Sequence, residues 1–423
     1  MSSKDLNQLA MEMPEIKKAK LPDIDLILDN SVPKPISKLA SDELRKSLSQ
    51  ERKKKSEVPE RAWNRVRNYI NDYELVSSKK RKFEGLEISV PDVITISRAY
   101  FKVWEIFEYF KKDKLVSLKS NFTYAGLAEG PGGMAQSVIN YREKYSKFAK
   151  SDNYFAITLR QGSQESTRWG EKYPQLKKVK INYGDKKYGG DEDGDLLKTN
   201  NIIAFAKFVG EKVDLITADG AVFVDDSVRQ MGVHREEIHY SLLFDEIVGA
   251  LCLQKNGGSF IMKIYEIFTL PTAQLIYLLS IYYEKVWIFK PVTSRAGNSE
   301  KYVVCANFKG ISKDELDILL KLSRDLWNDG ARVPMAPGDI FVHSFFNNSV
   351  VPSKFFDVLK EYNSNYLEAQ INAMIKGLTL ARMYHRKRKE FNRRRKGMII
   401  RLINNAKKWC RLNDIPIRKN IRI

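Results

Sequence analysis

The spacing of hydrophobic positions changes twice along the chain. Over roughly the first 85 residues apolar side chains are sparse, and the clearest pattern is the helical spacing of "ERAWNRVRNYINDYELV" (Glu60–Val76), which predicts an amphipathic helix. From about Leu86 to Gly310, short β-rich runs alternate with helical stretches. The strand candidates are "TYAGLA" (Thr123–Ala128), "YFAITL" (Tyr154–Leu159), "VDLITA" (Val213–Ala218), "GSFIMKI" (Gly258–Ile264), "KVWIFKP" (Lys285–Pro291) and "KYVVCANF" (Lys301–Phe308). Arg235–Gln254 carries apolar residues at helical spacing and ends on "KNGG", a helix stop signal. This alternation predicts an α/β domain with a largely parallel sheet. From about Ile311 onward the pattern is mostly helical. The expected organisation is a basic helical N-terminal extension (1–85), an α/β domain (86–310) and a helical, strongly basic C-terminal region (311–423), without internal repeats.

Composition narrows the class. With 423 residues and 43% hydrophobic content the chain can bury a sizeable core. The longest apolar run, Leu275–Tyr283, is far short of the ~20 residues that span a bilayer, and no secretory signal pattern opens the chain, so no membrane insertion is expected. Cys252, Cys305 and Cys410 lie far apart, and His234, His239, His343 and His385 show no metal-ligand spacing. A reducing, cytoplasmic compartment without disulfides or a metal site is the expectation.

Charge adds a partner. The formal net charge is +20, from 72 basic and 52 acidic residues, which favours a polyanion, either nucleic acid or an anionic membrane surface. Residues 376–423 alone carry 17 Lys and Arg against Glu390 and Asp414, a net +15. Within that tail Arg386, Lys387, Arg388, Arg393, Arg394 and Arg395 are candidate phosphate contacts, the alternative being a solvated helical face. Tyr384, Phe391 and Trp409 are interleaved with the charge, placed either to pack on the core or to stack on bases.

The candidate chemistry begins at "LAEGPGGMAQSV" (Leu127–Val138), a glycine-rich turn between a strand and a helix. Such a turn lets backbone N–H groups approach a ligand at the positive end of a helix, or serves as a structural turn alone. The dinucleotide pattern G-x-G-x-x-G does not fit, and the Gly-Lys-Ser/Thr ending of a P-loop is absent. Glu129 would repel a pyrophosphate. A ligand with a cationic centre and an amino-acid moiety suits it better, and S-adenosyl-L-methionine fits that description. Asp219 in "LITADGAV" ends one strand, Lys263 in "GGSFIMKIYE" lies near the end of the next, and Glu300 in "SRAGNSEKYVV" sits in a turn before the last. Together they deliver charge to the rim of neighbouring strands, where open α/β sheets bind ligands.

At these residues the sequence resembles the FtsJ/RrmJ-like RNA 2′-O-methyltransferases, whose Lys-Asp-Lys-Glu tetrad is filled here. "SRAYFKVWEIF" supplies Lys102, "LITADGA" Asp219, "FIMKI" Lys263 and "SRAGNSEKYVV" Glu300. The segments "LAEGPGG", "AITLRQG", "GDEDGDLLKTNNIIAFAKFV" and "FTLPTAQLIYLLSIYYEKVWIFKPVTSRAGNSEKYVVC" follow the order of the cap-specific mRNA branch. The resemblance covers roughly residues 96–310 and loosely the region after it.

The resemblance implies a Rossmann-like S-adenosylmethionine-dependent methyltransferase fold and conversion of cap-0 to cap-1 mRNA at the first transcribed nucleotide. Methylation of internal ribosomal or transfer RNA and a non-catalytic RNA-binding scaffold are the alternatives. Glu129, Gly130, Pro131, Gly132 and Gly133 are the expected donor turn, with Asp219 beside them. Asp195, then Asp193, are the candidates on the adenine side. The second strand ends "TLRQGSQ" where many methyltransferases place an acid for the ribose, so Thr158 and Leu159, through side chain or backbone, are the expected contacts there.

Lys263 is the implied base, its pKa pushed down by burial and the positive charge of Lys102 and the donor's sulfonium while Asp219 and Glu300 pull the other way, with Lys102, Asp219 and Glu300 orienting it and no metal required. Arg98, Arg295 and Ser299 are candidate contacts to the RNA backbone, with a plain turn role the alternative. For a cap platform the candidates are Tyr100, Trp104, Asp225 and Asp226, with core packing the favoured role for Trp104. Capped RNA is the implied partner, together with other mRNA-capping or transcription proteins. A resemblance of the whole chain to a viral member of the family implies the host cytoplasm and the virion as locations.

Overall fold

A computed structural model of the chain describes residues 9–17, 20–77, 82–83, 86–87, 89–160, 173–222, 235–330, 333–334, 338–347, 350–419 and 421. In chain order its strands and helices are β1 (Leu9–Glu12), β2 (Ile24–Asp29), α1 (Asp42–Lys53), α2 (Glu60–Ile70), β3 (Lys82–Phe83), β4 (Leu86–Glu87), α3 (Ala99–Tyr109), β5 (Thr123–Leu127), α4 (Gly133–Tyr145), β6 (Asn153–Ile157), β7 (Val179–Asn182), α5 (Thr199–Val209) and β8 (Val213–Ala218). There follow α6 (Arg235–Ile238), α7 (Tyr240–Leu253), β9 (Gln254–Ile264), α8 (Leu270–Tyr282), β10 (Tyr283–Lys290), β11 (Lys301–Phe308), α9 (Lys313–Asn328), β12 (Phe341–Phe346), α10 (Ser353–Arg386) and α11 (Arg388–Leu412).

Eight strands form one sheet in the order β1-β10-β11-β9-β8-β5-β6-β7. β7, β6, β5, β8 and β9 are mutually parallel, while β11, β10 and β1 join by antiparallel pairing. β5 is followed in sequence by β6 on one side, and β8 lies on its other side. The strand order therefore reverses at β5, and a Rossmann-like sheet opens its ligand crevice there, at the carboxyl ends of β5 and β8.

The parallel strands are buried on both faces, so they read as apolar runs. Alternate residues still go to different layers. Ala125 and Leu127 of β5 face the cluster formed with α5, α7 and α8, whereas Tyr124 faces the one formed with α3, α4 and α11. α10 belongs to both: Leu359, Tyr362 and Tyr366 pack in the first cluster, Leu378 and Ala381 in the second. At ~1.5 Å per residue a helix of this length reaches about 50 Å, enough to cross the molecule past the sheet edge.

All six expected strands are present, with small shifts of their ends. β9 starts earlier, at Gln254, and takes in the "KNGG" stretch with Gly257 at φ 78°. The expected helix 235–254 is broken at His239, the residue between α6 and α7. The N-terminal region is less separate than its composition suggests, because β1 pairs with β10 and β2 with β12. Pairing of this kind is non-local, and four to six residues with little alternation carry no local sign of it.

Candidate active site

After β5 the chain turns through Ala128 (φ 49°), a cis Gly130–Pro131 bond and Gly132 (φ 97°), which precedes α4 without a side-chain cap. A Cβ on Gly133 would lie 1.8 Å from Ser97 Oγ, so only glycine lets α4 begin against the segment leading into α3. Glu129 faces inward. Its Oε1 accepts from the amides of Met134 (2.9 Å) and Ala135 (3.3 Å), and its Oε2 from the hydroxyls of Tyr124 (3.2 Å) and Thr217 (3.3 Å). Burial, then the neighbouring Asp219, raises its pKa to about 7. Both oxygens thus serve the first turn of α4 and the strands beneath it.

Opposite lies the end of β6. Thr158 Oγ1 would sit 2.9 Å from a Cβ on Gly130, which joins this strand end to the glycine turn. Gly194 (φ 70°) approaches so closely that a Cβ there would lie 1.8 Å from the Thr158 carbonyl oxygen, and the Arg160 amide donates to the Asp193 carbonyl at 2.7 Å. The 193–195 loop and the end of β6 thus form one wall, with the apolar Leu159 side chain 47% exposed on it. The Asp193 carboxylate binds Lys198, Asn201 Nδ2 (2.7 Å) and the Asp195 amide (3.1 Å), and Asp195 Oδ1 accepts from the Leu197 amide at 3.0 Å. Both aspartates shape this loop.

The four charged residues of the tetrad come from four elements and meet as two ion pairs. Lys263 Nζ lies 2.6 Å from Asp219 Oδ1 and also donates to the Asp219 carbonyl at 2.8 Å. Lys102 Nζ lies 2.5 Å from Glu300 Oε1, which also accepts from Ser294 Oγ at 3.0 Å. Antiparallel pairing sets Tyr302 opposite Lys263 and Lys301 opposite Ile264, so Glu300, one residue before β11, arrives at the same end of the sheet.

Burial would raise the Glu300 carboxyl, but Lys102 and then Lys263 hold it down to about 2. Burial would lower Lys263, yet Asp219, Tyr265 and Glu300 together hold it above its ordinary value. The sequence expectation of a depressed Lys263 is therefore reversed in the protein itself, because the carboxylates outweigh burial. Beneath Asp219, Glu246 Oε1 accepts from the Gly220 amide at 2.8 Å, and burial raises this carboxyl to about 8.

Sequence reasoning missed what supports this constellation. Lys290, ending β10, donates to Asn298 Oδ1 (2.9 Å), the Asn298 carbonyl (3.1 Å) and the Glu300 carbonyl (2.7 Å), closing the turn that carries Glu300. Burial and the neighbouring Lys301 lower its pKa to about 7. Tyr366 of α10 donates to the Asn298 carbonyl at 3.2 Å, and its ring lies 3.9 Å from Lys301 Nζ. Glu105, one turn after Lys102, accepts from Val292 N (2.8 Å), Thr293 N (3.2 Å), Thr293 Oγ1 (2.8 Å) and Trp409 Nε1 (3.0 Å). A carboxylate flanked by apolar residues in the "VWEIF" stretch of α3 was the available signal for Glu105, and a lysine ending an apolar strand for Lys290.

Arg98 and Arg295 are both bound to Glu74, and Arg295 also feels the charge of Glu300. Ser299 is half-buried in the turn, and Ser294 is the serine that donates to Glu300. In the tail Arg386, Lys387, Arg388, Arg393 and Arg394 are exposed and Arg395 is half-buried. Phe391 and Trp409 are fully buried, which removes them as base-stacking groups, while Tyr384 is half-buried with the Arg388 guanidinium 3.8 Å from its ring centre. Tyr100 and Trp104 are buried and stacked at 5.7 Å, and Trp104 Nε1 donates to the Asn413 carbonyl at 2.7 Å, so they are core and not a cap platform. Asp225 and Asp226 lie outside the described residues. Among the described residues no cluster of His, Cys, Asp and Glu could hold a metal ion, and no helix is long and apolar enough to cross a membrane.

Residues 95–308 match the model of FtsJ-like methyltransferases. The chain belongs to the FtsJ-like methyltransferase family. The cap-specific mRNA (nucleoside-2′-O-)-methyltransferase 1 of Danio rerio is 30% identical over 262 residues, covering 60% of this chain and 29% of that protein. The cap-specific mRNA (nucleoside-2′-O-)-methyltransferase 2 of the same species is 28% identical over 372 residues, covering 87% of this chain and 46% of that protein. The chain thus spans less than half the length of these curated relatives. A solved structure described as a ribosomal RNA methyltransferase of Plasmodium falciparum has a TM-score of 0.33 at 21% identity, over 51% of this chain and 99% of that one. The FtsJ-like span encloses Lys102, Asp219, Lys263 and Glu300 and leaves out Glu74, Tyr366 and the whole of α11.

Proposed function

We propose that this chain is an S-adenosyl-L-methionine-dependent RNA 2′-O-methyltransferase that converts cap-0 mRNA to cap-1 at the first transcribed nucleotide. The observation that carries the reading is the pair of ion pairs, Lys263–Asp219 and Lys102–Glu300, on the rim where β8 and β9 end and β11 begins, beside the switch-point crevice.

The crevice suits the donor. Gly130–Gly133 bring backbone to the positive end of α4, which favours a carboxylate such as that of methionine. Leu159 offers an apolar surface to a base, with Thr158 and the 193–195 loop around it. When bound, the donor supplies a methyl group on a sulfonium centre. Transfer to a 2′-hydroxyl requires that the oxygen be aligned and its proton removed. Lys263 is the group we assign to that oxygen, first as a hydrogen-bond donor that orients it and then, in its neutral fraction, as proton acceptor. Asp219 fixes the Lys263 amine, and Glu300 with Lys102 closes the opposite side of the acceptor pocket.

Capped RNA is the proposed substrate, and mRNA-capping or transcription proteins are the proposed partners. The exposed arginines and lysines of α10 and α11 supply a phosphate-tracking surface outside the catalytic span. The whole chain also resembles the FtsJ-like methyltransferase of African swine fever virus, and on that resemblance the reading extends to a viral enzyme of the host cytoplasm and the virion.

The deciding experiment incubates protein and methyl donor with short RNAs that carry or lack a cap, then digests them with nuclease and weighs the products. One methyl group on the ribose of the first nucleotide of capped RNA is the expected result. Equal methylation without a cap would redirect the reading to internal ribosomal or transfer RNA positions. Absence of both transfer and donor binding would leave a scaffold that binds RNA only.

A further inference from the structure

Arg98 and Arg295 converge on one carboxylate that comes from neither of their own elements. Glu74 Oε1 accepts from Arg98 Nη1 at 3.0 Å and from Arg295 Nη2 at 2.6 Å, while Oε2 accepts from Arg295 Nε at 3.0 Å and Asn71 Nδ2 at 3.0 Å. The Glu74 side chain is 6% exposed, whereas those of Arg98 and Arg295 are 30% and 38% exposed. Four donors fill the lone pairs of a carboxylate. Against burial, the Arg295 hydrogen bonds and the charge of Arg98 keep Glu74 ionised, below its ordinary value. A guanidinium has five N–H groups. The bonds described use two of each arginine, Arg98 spending its second on the Thr293 carbonyl at 3.4 Å. Two guanidiniums on one carboxylate leave a net positive charge and several donors in a half-exposed position.

Their place in the fold gives that charge a purpose. Arg98 immediately precedes α3 with helical backbone angles, one turn before Lys102, so both come to the same side of that helix. Arg295 lies in the same turn as Glu300 and feels its charge. The two elements that bring Lys102 to Glu300 therefore bring the two arginines together as well. In RNA the carbon next to the one bearing the 2′-hydroxyl carries the 3′-oxygen and its phosphodiester. A strand whose 2′-oxygen reaches Lys263 brings that phosphate to the same rim.

We infer that Arg98 and Arg295 form a seat for the phosphodiester adjoining the acceptor ribose, and that Glu74 is the positioning residue that holds both guanidiniums ready. The inference rests on the RNA methyltransferase reading above. Guanidinium groups recognise phosphate through paired N–H donors in a fixed plane, so their orientation matters as much as their charge. Without the shared carboxylate the two cations would repel each other and lose that orientation.

The test compares wild type, Arg295→Ala, Glu74→Gln and the double variant in two assays. One is the KM for short capped RNA at saturating donor; the other is the salt dependence of equilibrium binding of a short uncapped RNA. Arg295→Ala should raise the RNA KM on the order of tenfold, leave the donor KM unchanged, and flatten the salt slope by roughly 0.7, the loss of one single-strand phosphate contact. Glu74→Gln is the discriminating variant. It removes a negative charge, so simple electrostatics predicts tighter RNA binding, whereas loss of positioning predicts a raised RNA KM. The double variant should be weaker than Arg295→Ala alone, because Arg98 then also loses the carboxylate that positions it.

An RNA KM for Glu74→Gln at or below the wild-type value would overturn the inference, as would an unchanged salt slope for Arg295→Ala. Should Glu74→Gln fold poorly, Arg295→Lys decides instead: it keeps the charge without the paired donors, and wild-type RNA binding by it sinks the seat. A wild type that methylates no RNA defeats the functional reading, and the salt slopes still report on the arginines.

Discussion

Replacing Glu105 by Gln tests whether the turn carrying Glu300 is held from below. Glu105 is 0% exposed, so no solvent screening weakens its interactions. One of its oxygens receives Val292 N, and the other receives Thr293 N, Thr293 Oγ1 and Trp409 Nε1. An amide in the same place keeps one acceptor oxygen and turns an NH2 group toward a donor. If the oxygen takes the three-donor side, the partly buried Val292 amide loses its partner, at about 1 kcal/mol, the low end for an unsatisfied group. The three retained bonds change from charge-assisted to neutral, each losing roughly half its strength. With about 1 kcal/mol lost from each of the three bonds and about 1 kcal/mol for the amide, the total is about 4 kcal/mol, in a protein whose whole stability is of the order of ~5–15 kcal/mol.

Urea unfolding followed by tryptophan fluorescence, with Trp409 beside the perturbation, reads the shift directly. Methyl transfer should fall as well, because Val292 and Thr293 begin the turn that ends in Glu300, while donor binding in the crevice at the ends of β5 and β8, which Glu105 does not touch, should hold. A Glu105→Gln protein within ~0.5 kcal/mol of wild type and fully active would refute the claim that this carboxylate ties α3, the turn and α11 together.

The other predictions concern charge and the tail. Lys263→Ala should abolish transfer while calorimetry finds donor binding nearly intact, and retained transfer would remove Lys263 from the proton-accepting role. Because Lys263 is held above its ordinary value, single-turnover rates of the wild type should rise with pH through the neutral range, and a flat profile would speak against a lysine base. Glu246 has a folded pKa raised from 4.5 to about 8, so its contribution to stability is complete below pH ~4.5 and is lost as pH rises through about 8. Glu246→Gln should therefore gain on wild type in urea midpoint at pH 8 relative to pH 5, and equal differences at both would contradict it. In the tail, Arg393→Ala and Arg394→Ala should each weaken RNA binding uniformly across sequences and lower the salt slope, with stability unchanged. Trp409→Ala should instead cost about 3–5 kcal/mol in unfolding, as for a buried aromatic side chain.

The strands were legible because burial on both faces writes each as an apolar run bounded by turn residues, as in "VDLITA" and "KYVVCANF", which coincide with β8 and β11. The glycine turn was legible because its backbone demands are local: Gly132 takes a left-handed conformation and Gly133 has no room for a side chain. The tetrad positions were legible through the same flanking motifs. Direction was not. The glycine loop alone suggests that Glu129 faces a ligand, whereas its carboxylate turns back on α4, and only the hydroxyls of Tyr124 and Thr217 from neighbouring strands make that inward place tenable. Nor was it local knowledge that Phe391 and Trp409 are interior, since a tail rich in arginine reads as solvated until its apolar stripe finds a partner face.

Composition and periodicity by themselves determined six strands of the central sheet and most of the helical stretches around them, where the strand ends lie that carry Lys263 and Asp219, and that the surface must be strongly basic. Tertiary structure alone decided that Lys102 pairs with Glu300 and Lys263 with Asp219. It also decided that Glu74, more than two hundred residues before Arg295, holds the arginines at the rim, and that Tyr366 and Trp409 of the last two helices brace the turn carrying Glu300. The reason is physical. Secondary structure follows from steric and solvation preferences over a few neighbouring residues, whereas the pairing of a buried charge depends on which distant groups the packed sheet and helices bring within hydrogen-bonding distance.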